Sequence, residues 1–160
     1  MTNILQPAEI VDIGIEKEKK RRDFYALAAV HFKDFGEMAE LFGKLRDWEE
    51  THIKRFQEIR DTVAKAQYTE QYPGETEGYM QALVQSDLYS DITPEKFADV
   101  VKTPAEALQR GITFEKDAIL FFGGLLQFVD KRSKEIIEQL ISEEQAHMLY
   151  LFNMKKTLGK

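Results

Sequence analysis

The feature that most constrains the fold of this chain is a set of four long stretches in which apolar residues recur three or four positions apart. This spacing is typical of α-helices that turn one face towards a core. No stretch shows the sustained alternation of apolar and polar residues that marks a β-strand. The sequence therefore predicts an all-α protein built around four long helices.

Prolines, glycines and capping residues place the helix boundaries. Pro7 and Pro104 suit the first turn of a helix, Gly36 precedes the second long stretch, Ser133 is a candidate N-cap, and Gly159 is a stop signal. The predicted long helices are residues 7–32, 36–66, 104–128 and 133–157.

A connection of some 40 residues separates two pairs of helices. It contains a turn-rich segment around Pro73-Gly74, a short helix predicted over 79–87, and a second one starting at Thr93-Pro94. A connection of this length allows the chain to cross from one end of a bundle to the other. We therefore expect a single domain, a four-helix bundle with a long crossover, divided into a helix pair 7–66, a crossover 67–103 and a helix pair 104–157.

Composition excludes several classes of site and partner. The chain has no cysteine, which excludes disulfides and every thiolate-ligated metal site. Its 28 acidic residues exceed its 22 lysines and arginines, so nucleic acid and anionic membranes are not expected partners. The most apolar run, 118–129, is shorter than the roughly 20 residues of a membrane span, and no signal peptide is recognisable. We expect a cytoplasmic protein.

Three of the predicted helices carry acidic residues or histidines in the middle of an otherwise apolar face. The second helix has Glu49 and His52, the fourth has Glu144 and His147, and the third has Glu115. A glutamate and a histidine three residues apart project from the same side of a helix, so both can bind one cation. These five residues are candidate metal ligands.

The first helix is less clear. Glu18 lies on its expected inward face, but it belongs to a run of charged residues in which Glu16 is a rival. Arg22 also lies on that expected face, although a solvated helix surface is the more ordinary interpretation of the basic run 17–22. The third histidine, His31, has no inward acid beside it and is expected to be a surface or helix-capping residue.

An internal repeat supports Glu18. Glu18 precedes Tyr25 by the same seven positions that separate Glu115 from Phe122, and a Glu-x-x-His motif follows on the next helix in each half. Two similar helix pairs, each supplying one lone glutamate and one Glu-x-x-His, would enclose a site between them.

Two divalent cations would neutralise the negative charge of the four glutamates in such a site. Carboxylates about 6 Å apart repel by about 3 kcal/mol per pair at an effective dielectric of about 20. Two divalent cations carry as many positive charges as four glutamates carry negative ones. Carboxylate and imidazole ligands without thiolate favour iron or manganese, with zinc as an alternative occupant. The predicted ligands are Glu18, Glu49, His52, Glu115, Glu144 and His147.

These motifs resemble the rubrerythrin-like branch of the ferritin-like diiron-carboxylate proteins. The resemblance is carried by Glu18…Phe24-Tyr25, Leu45…Trp48-Glu49-x-x-His52, Glu115…Phe121-Phe122 and Glu143-Glu144-x-x-His147. It implies a ferritin-like bundle that holds two iron ions, with Glu49 and Glu144 bridging them, Glu18 and Glu115 as terminal ligands, and one histidine on each ion.

Two departures limit what the resemblance implies about activity. Rubrerythrin proper has a four-cysteine iron domain, absent here, and a further glutamate where this chain has Ala118. A peroxidase cycle therefore does not transfer directly. Bacterioferritin binds haem through a methionine, and this chain has Glu50 at the matching position, so haem is not expected.

The resemblance leaves three functional hypotheses. The first is a redox enzyme that reacts with peroxide or dioxygen and takes electrons from a separate donor protein. Tyr25 is its candidate catalytic residue, as a hydrogen-bond donor to the cluster, with ordinary core packing an equal alternative. The second is iron oxidation and storage by a ferritin-like assembly, and the third is a metal-stabilised scaffold or sensor. A homodimer is the expected assembly.

Overall fold

A computed structural model describes residues 6–65, 74–85 and 88–159. Within these residues the chain is helical and contains no strand, which confirms the all-α prediction. The helices are α1 Pro7–His31, α2 Met38–Lys65, α3 Gly74–Gln85, α4 Phe97–Val100, α5 Pro104–Leu125, a short 3₁₀ helix Leu126–Phe128, and α6 Lys131–Leu158.

The four long helices form a bundle of two pairs. Helix α1 packs along α2, and α5 packs along α6, while smaller contacts of α1 with α5 and of α2 with α6 join the pairs. The turn between α1 and α2 contains Gly36, whose φ of 55° is a left-handed conformation that glycine adopts without strain. None of the described helices is long and apolar enough to cross a membrane.

Several helix starts differ from the sequence prediction. The expected cap Ser133 is wrong: the carboxylate of Asp130 accepts the Ser133 N–H, so α6 begins at Lys131. The short helix expected to start at Tyr79 already begins at Gly74. The short helix expected to start at Thr93-Pro94 begins only at Phe97, because residues 94–96 form a turn in which the Thr93 hydroxyl accepts the Lys96 N–H. The start of α5 is as expected, since the Thr103 side chain accepts the Glu106 N–H and Pro104 occupies the first turn.

Two apolar clusters fill the bundle, and the polar residues singled out from the sequence lie between them. We call them the first and second apolar clusters. The first includes Ile10, Ile15, Phe56, Ile59, Phe121, Phe122 and Leu140. The second includes Phe24, Tyr25, Phe42, Leu45, Phe114, Ile112 and Leu151. Each long helix contributes to both clusters, so the polar layer is closed off from either end of the bundle.

The described part of the crossover is attached to the bundle at several points. Helix α3 packs on α5 at Gly124, where a Cβ atom would overlap the Met80 sulfur. The ring of Tyr89 lies 4.4 Å from that of Phe114, measured between centroids. The Arg110 guanidinium donates two hydrogen bonds of 2.9 and 2.8 Å to a carboxylate that follows α3, that of Asp91.

Candidate metal centre

All six predicted ligands lie in the polar layer between the two apolar clusters, and all are buried. Their donor atoms form two groups, and within each group the atoms lie within 4.8 Å of one another. The groups are Glu18, Glu49, His52 and Glu144, and Glu49, Glu115, Glu144 and His147. Glu49 and Glu144 belong to both.

The Glu144 carboxylate spans the two histidines. Its Oε1 lies 2.7 Å from His52 Nδ1 and its Oε2 lies 2.9 Å from His147 Nδ1. Glu49 spans the same pair from α2, with distances of 3.4 Å to His52 Nδ1 and 3.6 Å to His147 Nδ1. These are the positions from which a carboxylate can bridge two cations.

The two lone glutamates lie at opposite ends of this arrangement. Glu18 Oε2 is 3.5 Å from His52 Nδ1, and Glu115 Oε1 is 4.0 Å from His147 Nδ1. Each histidine therefore faces one lone glutamate and both shared ones, as the internal repeat suggests. Glu16, the rival to Glu18, is exposed and pairs with Lys19.

Outer contacts orient both imidazoles. His52 Nε2 shares a 2.8 Å hydrogen bond with Glu143, which also accepts from Arg55 at 2.7 Å. A carboxylate on the outer nitrogen fixes the ring so that its other nitrogen points at the site. The His147 ring lies parallel to the Trp48 indole instead.

Tyr25 touches the site directly. Its hydroxyl donates a 2.5 Å hydrogen bond to Glu115 Oε1, and the side chain is fully buried. Its ring also belongs to the second apolar cluster, where it lies against Phe24 and Phe42. Both interpretations of Tyr25 thus have a structural basis. His31 is exposed, as expected, with its ring edge against Phe32.

The expected inward position of Arg22 is wrong, because the arginine that enters the site is Arg21. Arg22 lies near the surface, where it donates to Glu50 at 2.8 Å and Asp23 at 3.0 Å. Arg21 is completely buried and forms an ion pair with Glu18. A signal was present: Glu18-x-x-Arg21 has the spacing of the two Glu-x-x-His motifs.

The solvated-face interpretation of the basic run is also wrong for Lys17. Its ammonium lies 3.0 Å from the Asp117 carboxylate of α5, and both side chains are buried. The pairing joins two helices that are far apart in sequence, so the pattern of α1 alone does not reveal it.

The carboxylates of the site differ in acidity. Burial opposes ionisation of Glu49, but the positive charge of Arg21 and the close approach of the His147 and His52 rings outweigh it and lower the pKa of Glu49. Burial and repulsion by Glu49 raise the pKa of Glu144, but the same histidines prevail and bring it to about 2. For Glu115, burial and then repulsion by Glu144 and Glu49 raise the pKa well above its usual range.

The two histidines are correspondingly basic. Burial lowers their pKa values, but the hydrogen bonds to Glu144 and the nearby Glu49 carboxylate raise the pKa of His52 to about 11 and that of His147 to about 9. At neutral pH the protein without metal therefore carries imidazolium rings between carboxylates. A cation that binds here must displace those protons.

Several buried carboxylate oxygens lack a hydrogen-bond partner in the protein and could bind a metal instead. Among the described side chains, both oxygens of Glu49, Oε2 of Glu18 and Oε2 of Glu115 are buried without a hydrogen-bond partner. An unsatisfied buried carboxylate oxygen is costly. Two divalent cations would satisfy these atoms, and the mixed oxygen and nitrogen donors suit iron or manganese.

Comparison with known proteins supports the fold. No family model matches the sequence, and no curated protein matches it. The structure is similar to a crystal structure from Thermotoga maritima that is named a putative ferritin-like diiron-carboxylate protein. The TM-score is 0.67 over 98% of both chains, at 21% sequence identity. The predicted ferritin-like fold is thereby confirmed.

Proposed function

We propose that the protein binds two iron ions in the polar layer and acts as a redox enzyme towards peroxide or dioxygen. The observation that carries the proposal is the sharing of Glu49 and Glu144 between two groups of donor atoms. A shared pair of carboxylates suits a dinuclear centre, because each carboxylate can offer one oxygen to each cation. The Thermotoga maritima protein, named for a diiron-carboxylate centre, supports this choice of metal.

Each ion would have a matched set of ligands. Glu18 and His52 would hold one, Glu115 and His147 would hold the other, and Glu49 and Glu144 would bridge them. When bound, the two iron ions would supply one-electron oxidation and reduction at adjacent positions.

The remaining residues would limit the access of water to the site and hold a proton beside it. The first and second apolar clusters, which lie on either side of the layer, would exclude water from its two ends. The Tyr25 hydroxyl would orient Glu115 and hold a proton beside the site. Because the chain has no cysteine, electrons would come from a separate donor protein. A homodimer and a cytoplasmic location remain predictions.

Rapid mixing of the ferrous protein with hydrogen peroxide or dioxygen tests the redox proposal. We expect the parent protein and Glu138→Gln to be oxidised quickly, and Glu144→Gln to react far more slowly. Glu138 is the matched control, because it is an exposed glutamate on the same helix. Equal sluggishness of the parent towards both oxidants would contradict the redox proposal and favour a metal-stabilised scaffold. Continued uptake beyond two ions per chain by a large assembly would favour iron storage.

A further inference from the structure

The guanidinium of Arg21 lies among the ligands of only one of the two candidate cation positions. It is paired with Glu18, its Nε is 3.6 Å from Glu49 Oε2, and its Nη2 is 4.0 Å from Glu144 Oε1. No ion pair between Arg21 and Glu115 occurs among the described side chains. The guanidinium therefore approaches the Glu18 position and leaves the Glu115 position open.

The two halves of the chain differ at this point. Glu18 is followed three residues later by Arg21, while Glu115 is followed at the same spacing by Ala118. Arg21 and Ala118 are both buried. The asymmetry is therefore built into two otherwise similar helix pairs.

The position of Arg21 matters because it changes the balance of charge among the predicted ligands. Without metal, Arg21 offsets part of the charge of the four buried glutamates. With two divalent cations present, the cations and the guanidinium would carry five positive charges against four carboxylates. An arginine does not lose its proton in a protein, so Arg21 itself can relieve this excess by moving away from the ligands but not by deprotonation.

Arg21 has a second anchor that does not involve the predicted ligands. Its Nη1 donates to the Tyr89 hydroxyl at 3.2 Å and to the Phe114 carbonyl at 3.3 Å. The guanidinium can therefore leave Glu18 without becoming a buried cation that lacks partners.

We propose that Arg21 acts as an internal counter-ion that makes the two cation positions unequal. The position formed by Glu115 and His147 fills first, and the position formed by Glu18 and His52 fills only when Arg21 releases Glu18. This inference rests on the proposed metal binding, and it adds an order of filling and a residue that sets that order.

Anaerobic calorimetric titration of Fe²⁺ into the metal-free protein tests the order. We expect two steps in the parent protein, the first tighter by about tenfold or more, which corresponds to about 1.4 kcal/mol. In Arg21→Gln the second step should strengthen and approach the first. Arg22→Gln is the control, because it removes the same charge from the same helix while leaving the site intact, and it should behave like the parent.

Substitution of each predicted histidine ligand shows which cation position is filled in which binding step. His147→Ala should remove the tight step, and His52→Ala should remove the weak one. The metal-free Arg21→Gln protein should also melt at a lower temperature than metal-free Arg22→Gln, because its buried glutamates have lost their counter-ion. Should Arg21→Gln fail to fold, Glu18→Gln/Arg21→Gln removes both opposite charges and should retain the tight step alone.

Three results would overturn the inference. The first is two binding steps of equal affinity in the parent protein. The second is two steps with unchanged affinities in Arg21→Gln, and the third is loss of the tight step in His52→Ala. A parent protein that binds no Fe²⁺ would instead contradict the proposed function, and with it this inference.

Discussion

The indole of Trp48 lies parallel to the imidazole of His147, with 4.8 Å between ring centroids and 9° between planes. His147 in turn lies nearly parallel to His52, at 5.4 Å and 13°. Trp48 is 40% exposed, so this stack of three rings joins the buried candidate metal site to the protein surface.

Trp48 should report on the occupancy of the site, because it is the single tryptophan of the chain. Without metal, its neighbour His147 is protonated, and an imidazolium ring quenches indole emission. Binding of Zn²⁺, which absorbs no visible light, should displace this proton and raise the tryptophan fluorescence. His147→Ala should abolish the increase. An undiminished increase in His147→Ala would show that the cation binds elsewhere.

Removal of the Tyr25 hydroxyl should affect both stability and reaction. Tyr25→Phe leaves a buried Glu115 oxygen without its hydrogen bond, which should cost about 1–3 kcal/mol of unfolding free energy in urea. If Tyr25 also acts in the reaction, oxidation of the fully loaded variant should slow relative to Tyr150→Phe, a change outside the ligand set. If Tyr25→Phe binds its full complement of iron and is oxidised at an unchanged rate, Tyr25 serves only in packing.

Metal binding should strengthen with rising pH. The pKa of His52 is raised from 6.5 to about 11 and that of His147 from 6.5 to about 9, so both rings must lose a proton before binding a cation. Calorimetry in buffers with different ionisation enthalpies should detect proton release at pH 7. Binding that releases no protons would contradict the assignment of the histidines.

The same groups predict the opposite trend for the metal-free protein. A raised histidine pKa stabilises the fold fully below the unfolded value of about 6.5, and this stabilisation disappears as pH rises through the folded values of about 9 and 11. Melting temperature without metal should therefore fall from about pH 6.5 to about pH 9, where both histidines contribute, and more gradually from there to about pH 11, where only His52 still does. A flat profile there would show that the imidazolium–carboxylate pairs contribute nothing to stability.

The buried Lys17–Asp117 pair should be sensitive to loss of one partner. Lys17→Met leaves the Asp117 carboxylate buried and unpaired, which should lower the unfolding free energy by about 3 kcal/mol or more. Lys19→Met, which breaks a more exposed pair with Glu16, should cost less than about 1 kcal/mol. Equal effects of the two changes in urea denaturation would contradict the structural role of Lys17.

Some features of the fold and site could be predicted from the sequence because they depend on a single helix. In α2 the apolar spacing alone placed Phe42, Glu49, His52 and Phe56 on one buried face. The internal repeat then selected Glu18 over Glu16. These are local regularities that the helical period makes visible.

Other features depend on contacts between helices, which no local pattern contains. Lys17 is buried because Asp117 faces it from α5, and Arg21 is buried because it meets carboxylates of three helices. Judged by its own helix, each looks like part of a solvated basic surface. The seven-residue step from Glu18 to Tyr25 also fits an inward residue at either 21 or 22, so spacing alone did not distinguish Arg21 from Arg22.

Iron content after anaerobic Fe²⁺ loading and removal of free metal tests the central claim most directly. Two iron ions per chain are expected in the parent protein and in Glu138→Gln, and fewer in Glu144→Gln, because Glu144 belongs to both groups of donor atoms. A parent protein that retains no stoichiometric iron, or Glu144→Gln with undiminished iron, would contradict a dinuclear centre in the polar layer.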